Sequence, residues 1–204
     1  MAGENEVRGR ILEAATEQFL RFGFTRVTMD EIASGLGMSK KTLYQHFPGK
    51  ETLLQEVMRR KMREIEAGYE GILRDDGLDF VEKLKNLMSF MAVQFSRVGQ
   101  VFLQDLQKNA PEVWREVETF RGRRASSLFG NLVSEGIQKG MFRADVDQHL
   151  LTLLYVSAIQ GIINPDALSQ LPLSASQAFE NIIKIIYEGI LTDKARARYV
   201  ARQR

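Results

Sequence analysis

Residues 28–54 read TMDEIASGLGMSKKTLYQHFPGKETLL, and this stretch places two short apolar-periodic segments on either side of a glycine-containing break. Thr28 begins the first segment, and Glu31 stands three residues later, which is the pattern of a capping box. Gly37 interrupts the segment, because glycine readily adopts the left-handed backbone conformation that ends a helix. Ser39 is suited to cap the next helix. The stretch therefore predicts two short helices joined by a tight turn.

The second of these helices is expected to project from the surface while the first braces it. Ala33 is small enough for a close helix crossing, and Met38 and Leu43 are apolar residues that can fix the turn to the core. This is a helix-turn-helix arrangement, in which the second helix enters the DNA major groove and the first lies across the backbone. The pattern alone also fits a helical hairpin with a solvated charged face.

Polar side chains remain on the outer faces of both helices. Lysine ammonium groups neutralise phosphates, hydroxyl groups and helix N-termini donate hydrogen bonds to phosphate oxygens, and amide or phenol groups reach base edges. The candidate phosphate-binding residues are Thr28, Ser39, Lys40, Lys41, Thr42, Tyr44 and Lys50, and the candidates for base contacts are Tyr44 and Gln45.

Apolar residues recur at helical spacing along most of the chain. A first helix is predicted from about Arg8 to Gly23, and a long helix begins at Lys50. Further helices are predicted over residues 79–97, 101–108, 111–139, 147–163 and 174–191. Because no strand pair and no internal repeat is evident, the predicted fold is all-α. A three-helix helix-turn-helix domain over residues 1–50 is joined by the long helix to a C-terminal helical bundle over residues 51–204.

The composition narrows the classes of function. The chain of 204 residues has a formal net charge of +2 and no cysteine, which excludes disulfides, thiolate metal sites and cysteine nucleophiles. An all-α enzyme is a second hypothesis, but His46 and His149 lack metal-ligand spacing, and the Gly-Lys pair at residues 49–50 lacks the rest of a phosphate-binding loop. We predict no enzymatic activity, no cofactor and no metal site. Without a signal peptide or membrane-length apolar segment, a cytoplasmic protein with no membrane partner is expected.

The motifs up to Leu54 resemble one protein family. TMDEIASGLGMSKKTLYQHFPGKETLL resembles the DNA-binding signature of the TetR family of bacterial transcriptional regulators, and the preceding RILEAATEQFLRFGFTRVT resembles that family's first helix and its exit. The combination of T-x-x-x-I-A, G-x-S-x-x-T-L-Y and H-F-x-x-K-E-x-L in this order is highly specific. The resemblance implies a homodimer that represses transcription from a palindromic operator and is released when a small molecule binds its C-terminal domain.

The resemblance also implies roles for individual residues. The positions that commonly contact DNA in the family, mostly at phosphates, are matched by Thr28, Lys40, Thr42, Tyr44, His46 and Lys50. Lys41 stands where many members have a small residue or glycine, and its longer side chain can add a phosphate or base contact. The alternative function is a helical protein-interaction module without sequence-specific DNA binding.

The resemblance implies dimerisation through residues 147–163 and 174–191, which would pair with their twofold copies as a four-helix bundle. The apolar faces of these segments are wide enough to serve both the core and the interface, and periodicity does not divide the residues between the two. The residues concerned are Leu150, Leu154, Ile159 and Ile163 on the first segment and Phe179, Ile182, Ile183, Ile186 and Ile190 on the second.

Large or pliant apolar side chains between Leu73 and Tyr155 are candidates for the lining of a pocket for a small apolar or aromatic effector. The candidate lining residues are Met91, Gln94, Phe95, Phe102, Trp114 and Tyr155. For each aromatic residue, a place in the core is the alternative. We expect an effector bound against the helix that begins at Lys50 to tilt the DNA-reading helices and change their separation in the dimer.

Overall fold

The computed structural model describes residues 2–196, and their regular structure is helical. The helices are α1 (Ala2–Phe22), α2 (Met29–Gly35), α3 (Lys40–His46), α4 (Lys50–Leu73), α5 (Phe80–Ser96), α6 (Gln100–Asn109), α7 (Pro111–Gln138), α8 (Gln148–Ile162), α9 (Pro165–Ser169) and α10 (Ala175–Ile190). Within the described range there is no strand, and an isolated bridge pairs Phe142 with Leu191. The predicted all-α fold is confirmed. No helix in this range is long and apolar enough to cross a membrane.

Most helix ends agree with the sequence prediction to within a few residues, although α1 begins earlier, at Ala2. Helix α9 lies outside the predicted segments. Asn164 caps this helix by accepting a hydrogen bond from the N–H of Ala167 at 3.0 Å, and Pro165 occupies its first turn. Because α9 has only 5 residues, it is too short to show helical periodicity.

Helix packing divides the chain into two compact units. The first unit comprises Met1–Ala67 and Arg97–Val117, and the second comprises Gly68–Ser96 and Glu118–Arg204. Helices α4 and α7 each contribute residues to both units. The helix-turn-helix segment lies in the first unit.

The core of the first unit joins the N-terminal helices to a helix from later in the chain. Phe19 of α1, Ile32 of α2 and Leu43 of α3 are fully buried. Phe102 and Leu106 of α6 are buried in the same core. Helix α6 is therefore part of the support of the helix-turn-helix.

Aromatic contacts are prominent in the core of the second unit. Phe129 of α7 stacks on Tyr155 of α8, with ring centroids 4.1 Å apart. Gly68 of α4 packs so closely on Phe90 of α5 that an added methyl group would overlap the ring. Residues of α4, α5, α7, α8 and α10 enclose a common, mostly apolar interior.

Candidate functional site

The N-terminus of α2 has the predicted capping box. The N–H of Thr28 donates to Oε2 of Glu31 at 2.7 Å, and the N–H of Glu31 donates to Oγ1 of Thr28 at 3.2 Å. The hydrogen bond from the Thr28 backbone is the main reason that the pKa of Glu31 lies below its ordinary value. The carboxylate therefore stays ionised at neutral pH and satisfies an N–H group that would otherwise lack a partner.

The turn between α2 and α3 uses the glycine that interrupts the sequence pattern. Gly37 has a φ of +65°, and its N–H donates to the carbonyl of Ser34 at 3.0 Å. The next N–H, of Met38, donates to the carbonyl of Ala33 at 3.0 Å. Ser39 then caps α3 by accepting from the N–H of Thr42 at 3.1 Å. These bonds close the turn locally, so its shape follows from a few adjacent residues.

Helix α3 is buried on one side and open on the other. Leu43 is fully buried, whereas Tyr44 is 45% exposed. Lys41, Tyr44 and Gln45 are all exposed and stand at spacings of three and four residues, which places them on one side of the helix. We name Lys41, Tyr44 and Gln45 the recognition face. It presents an ammonium, a phenol and an amide, which are groups able to contact phosphates and base edges.

The side chains of the other two candidate lysines, Lys40 and Lys50, form contacts within the protein. Lys40 forms an ion pair with Asp30 of α2, and both side chains are more than half exposed. The ammonium of Lys50 donates to the carbonyls of Thr25 at 3.1 Å and Val27 at 3.0 Å. An exposed pair such as Lys40 with Asp30 contributes little to stability and can exchange for a phosphate. Lys50 holds the turn between α1 and α2.

The predicted hydroxyl donors take part in the helix caps. The Thr28 hydroxyl donates to Glu31 at 2.8 Å, and the Thr42 hydroxyl lies 2.8 Å from that of Ser39. His46 is half-buried at the end of α3. A phosphate contact at either threonine would therefore share or replace an existing hydrogen bond.

Asp105 of α6 supports the turn before α2, and no signal in the sequence indicates this role. Its Oδ2 accepts a hydrogen bond from the N–H of Thr25 at 2.6 Å, and the Thr25 hydroxyl also donates to this carboxylate. Asn109 donates to Oδ1 at 2.7 Å. Burial raises the pKa of Asp105, but the hydrogen bonds from Thr25 and Asn109 outweigh it and hold the pKa below its ordinary value. Thr25 and Asp105 are 80 residues apart, so no local pattern joins them.

Arg8 of α1 is a second residue without a sequence signal for its role. Its guanidinium donates to the carbonyl of His46 at 3.2 Å and pairs with Glu56 of α4 at 3.1 Å. The same group lies 4.4 Å from the ring centroid of Phe47. Arg8 thus connects the C-terminus of α3 with α1 and α4.

Comparison with known proteins agrees with this geometry. The sequence profile for bacterial regulatory proteins of the tetR family matches residues 11–57. The HTH-type transcriptional repressor KstR2 of Mycobacterium tuberculosis is 30% identical over 155 residues, which cover 74% of this chain and 77% of KstR2. The chain belongs to the TetR family of bacterial regulatory proteins.

Further similarities extend over almost the whole of this TetR-family protein. An uncharacterized HTH-type transcriptional regulator of Bacillus subtilis, YvaF, is 23% identical over 185 residues, covering 91% of this chain and 96% of YvaF. A solved structure of a transcriptional regulator from Saccharomonospora viridis has the same fold, with a TM-score of 0.71 at 23% identity over 92% of this chain and 99% of that chain. This TetR-family protein is a DNA-binding transcriptional regulator rather than an enzyme, as the sequence predicted.

The candidate effector residues of this TetR-family regulator fall in both units. Met91 and Tyr155 line a cavity in the second unit. Gln94 and Phe95 belong to the same unit, where the Phe95 ring centroid lies 5.0 Å from that of Phe179. Phe102 is buried in the core of the first unit, and Trp114 packs against that core. The structure therefore brings Met91 and Tyr155 together at one cavity, whereas Phe102 and Trp114 lie in or against the core of the first unit.

The cavity in the second unit has a volume of about 40 Å³. Its lining is mostly apolar and includes Met88, Met91, Phe129 and Phe179, together with the tyrosines Tyr69, Tyr155 and Tyr187. No charged side chain among the described residues lines it. In the sequence, each of these tyrosines is recognisable only as an aromatic residue of a helix. Because they come from three different helices, α4, α8 and α10, no local pattern predicts that they line one cavity.

Proposed function

We propose that this TetR-family regulator is a repressor that binds a palindromic operator as a homodimer and leaves it when a small apolar or aromatic effector binds. In this proposal residues 1–50 form the DNA-binding domain, and residues 51–204 bind the effector and dimerise. The observation that carries the proposal is the recognition face, because its polar groups stand together on the exposed side of α3. KstR2 is named as a repressor, which supports the direction of regulation. Because bacterial DNA lies in the cytoplasm, we place the activity there.

The proposed DNA contacts divide into base and phosphate contacts. Tyr44 and Gln45 would meet base edges in the major groove, and Lys41 would meet a phosphate or a base. The proposed phosphate contacts are made by Thr28, Ser39, Lys40, Thr42, His46 and Lys50. For Lys40 the contact replaces the ion pair with Asp30, and for Lys50 it adds to the existing bonds to backbone carbonyls.

An exposed apolar patch supports dimerisation through residues 147–163 and 174–191. On α8, Leu150 and Leu154 are both 56% exposed, and on α10 Ile185 is 73% exposed. The opposite faces of these helices, with Leu151 and Tyr155 among their residues, are buried within the chain. Large exposed aliphatic side chains on two neighbouring helices suit a self-complementary interface between two copies.

The cavity of the second unit is the proposed effector site. Tyr69 in its lining belongs to α4, the helix that begins with Lys50 beneath the α1–α2 turn. A ligand that displaces Tyr69 would act on α4. If the ligand binds one conformational state a hundredfold more tightly than the other, it shifts the equilibrium between the two states by about 2.7 kcal/mol. The similar regulator from Saccharomonospora viridis was solved in complex with choline, and KstR2 is described as a ketosteroid transcriptional regulator. Both descriptions support a small-molecule effector.

Selection of bound duplexes from a randomised DNA pool at physiological salt tests the proposal. We expect enrichment of a palindrome whose half-sites are about one helical turn apart or a multiple of it. The triple variant K41A/Y44A/Q45A should lose this enrichment, whereas Lys108→Ala, which removes an exposed lysine of α6, should keep it. Absence of enrichment with folded, dimeric protein would contradict the proposal.

A further inference from the structure

The polar groups in the lining of the cavity are phenol hydroxyls. Burial raises the pKa of Tyr69, and the nearby Tyr155 and Tyr187 raise it further. Burial also raises the pKa of Tyr155, against a smaller opposite effect of Arg121. These phenols therefore stay protonated and uncharged at physiological pH, and each can donate a hydrogen bond.

Two of these hydroxyls are available to a ligand. Within residues 2–196, neither the Tyr69 hydroxyl nor the Tyr155 hydroxyl forms a hydrogen bond with the protein. Neither hydroxyl is completely enclosed by other atoms. Tyr69 on α4 and Tyr155 on α8 both line the cavity. A hydrogen-bond acceptor on a ligand in the cavity would therefore meet donors that the protein leaves without a partner.

The cation that acts on the pKa of Tyr155 is Arg121, which is paired with a carboxylate, although its Nε is a buried donor without a partner among the described residues. The side chain of Arg121 is only 15% exposed, and its Nη1 pairs with Glu118 at 2.6 Å. Its Nη2 donates to the carbonyl of Ile163 at 2.9 Å, at the C-terminus of α8. Arg121 is not among the residues that line the cavity, so an ionised ligand group there would lose its hydration without gaining a counter-charge, which is unfavourable.

We propose that the cavity binds an uncharged apolar ligand group whose ketone or ester carbonyl accepts hydrogen bonds from Tyr69 and Tyr155. This inference rests on the proposed function in taking the cavity as the effector site. The present volume of about 40 Å³ holds only a few atoms, so a larger ligand has to displace side chains. Met88 and Met91 are suited to that displacement, because the thioether chain adapts its shape readily.

Calorimetric titration of the full-length protein with 2-octanone and with octanoate, two probes of equal chain length, tests this inference. We expect the ketone to bind at least tenfold more tightly than the carboxylate at neutral pH. Tyr69→Phe and Tyr155→Phe should each weaken ketone binding by about two- to tenfold, since each removes one hydrogen-bond donor. Lys108→Ala, at an exposed position of α6 outside the cavity lining, should leave the affinities for both probes unchanged. Circular dichroism and Tm of each variant verify folding.

Three outcomes would overturn the inference: no ketone binding, octanoate binding as tightly as the ketone, or unchanged ketone affinity in the folded Tyr69→Phe and Tyr155→Phe variants. Operator release is measured separately with the selected duplex. If another small molecule releases the operator while the ketone fails to bind, this inference is wrong and the proposed function stands. If the ketone binds as expected but no small molecule alters operator affinity, the ligand-release part of the proposed function is wrong instead.

Discussion

The carboxylate of Asp105 holds Thr25 by two hydrogen bonds, one from the backbone N–H at 2.6 Å and one from the hydroxyl. On the other side of the same residue, the Thr25 carbonyl accepts a hydrogen bond from Lys50. Gly23 leaves room for this contact, because a Cβ there would lie 2.9 Å from Oδ2 of Asp105 and the residue has a φ of +90°. The turn that leads into α2 is therefore held from α6 and from α4 together.

We predict that Asp105→Ala lowers the free energy of unfolding by about 1–3 kcal/mol, because it removes the acceptor of charge-assisted hydrogen bonds. Operator affinity should also fall, since the entry to α2 is no longer held. Denaturant unfolding and duplex titration measure the two effects. Gln104→Ala, at the exposed neighbouring position of α6, is the matched control and should leave both unchanged.

The contribution of Asp105 should depend on pH in a defined direction. Its pKa is lowered in the folded state, so the stabilisation is fully present above the unfolded value of about 3.9 and is lost as the pH falls through the folded pKa. We expect the stability difference between the native protein and Asp105→Asn to shrink across this acidic range. Urea unfolding at a series of pH values measures it, and a difference that grows on acidification would contradict the assignment.

Two glycines of α4 should respond in opposite ways to alanine. At Gly68 the new methyl group would overlap the Phe90 ring, so Gly68→Ala should destabilise by about 1–3 kcal/mol. At Gly71 nothing lies within 4 Å of the added carbon, so Gly71→Ala should stabilise by about 0.5–1 kcal/mol through helix propensity. Thermal and chemical unfolding compare the pair. Equal effects would show that α4 and α5 are not packed closely at Gly68.

Alanine substitutions at Lys41 and Lys50 should have different effects on DNA binding and on folding stability. Lys41 is exposed on the recognition face, so Lys41→Ala should change stability by less than about 0.5 kcal/mol and reduce the salt dependence of DNA binding by about one counterion. Lys50→Ala removes the donor to Thr25 and Val27 and should lower stability by about 1 kcal/mol. If the Tm of Lys50→Ala is unchanged, Lys50 does not stabilise the turn, and a contact with a DNA phosphate is the better account of its role.

The exposed patch on α8 and α10 should determine the oligomeric state. Ile185→Lys places a charge where 73% of an isoleucine side chain is exposed, and a charge at the centre of an apolar interface opposes association. We expect sedimentation analysis to show monomers with native helix content. Leu171→Lys makes the same chemical change outside α8 and α10, and that variant should remain dimeric. Dimers of Ile185→Lys at equal concentration would place the interface elsewhere.

The features that the sequence alone determined are local. Thr28, Glu31, Gly37 and Ser39 act on neighbours within a few positions, so their spacing was sufficient to predict two capped helices and the turn between them. Apolar periodicity likewise predicted the long helices, and the ordered motifs around α3 predicted the family.

The tertiary structure decided which residues meet across long separations. Asp105 reaches Thr25 from 80 residues away, and only packing determines that Lys50 bonds to backbone carbonyls. The same holds for α8 and α10, where Ile159 and Ile183 are buried but Leu154 is exposed. Periodicity gives each helix an apolar face, but the partner of that face depends on how all the helices pack together. A local pattern carries no information about that choice.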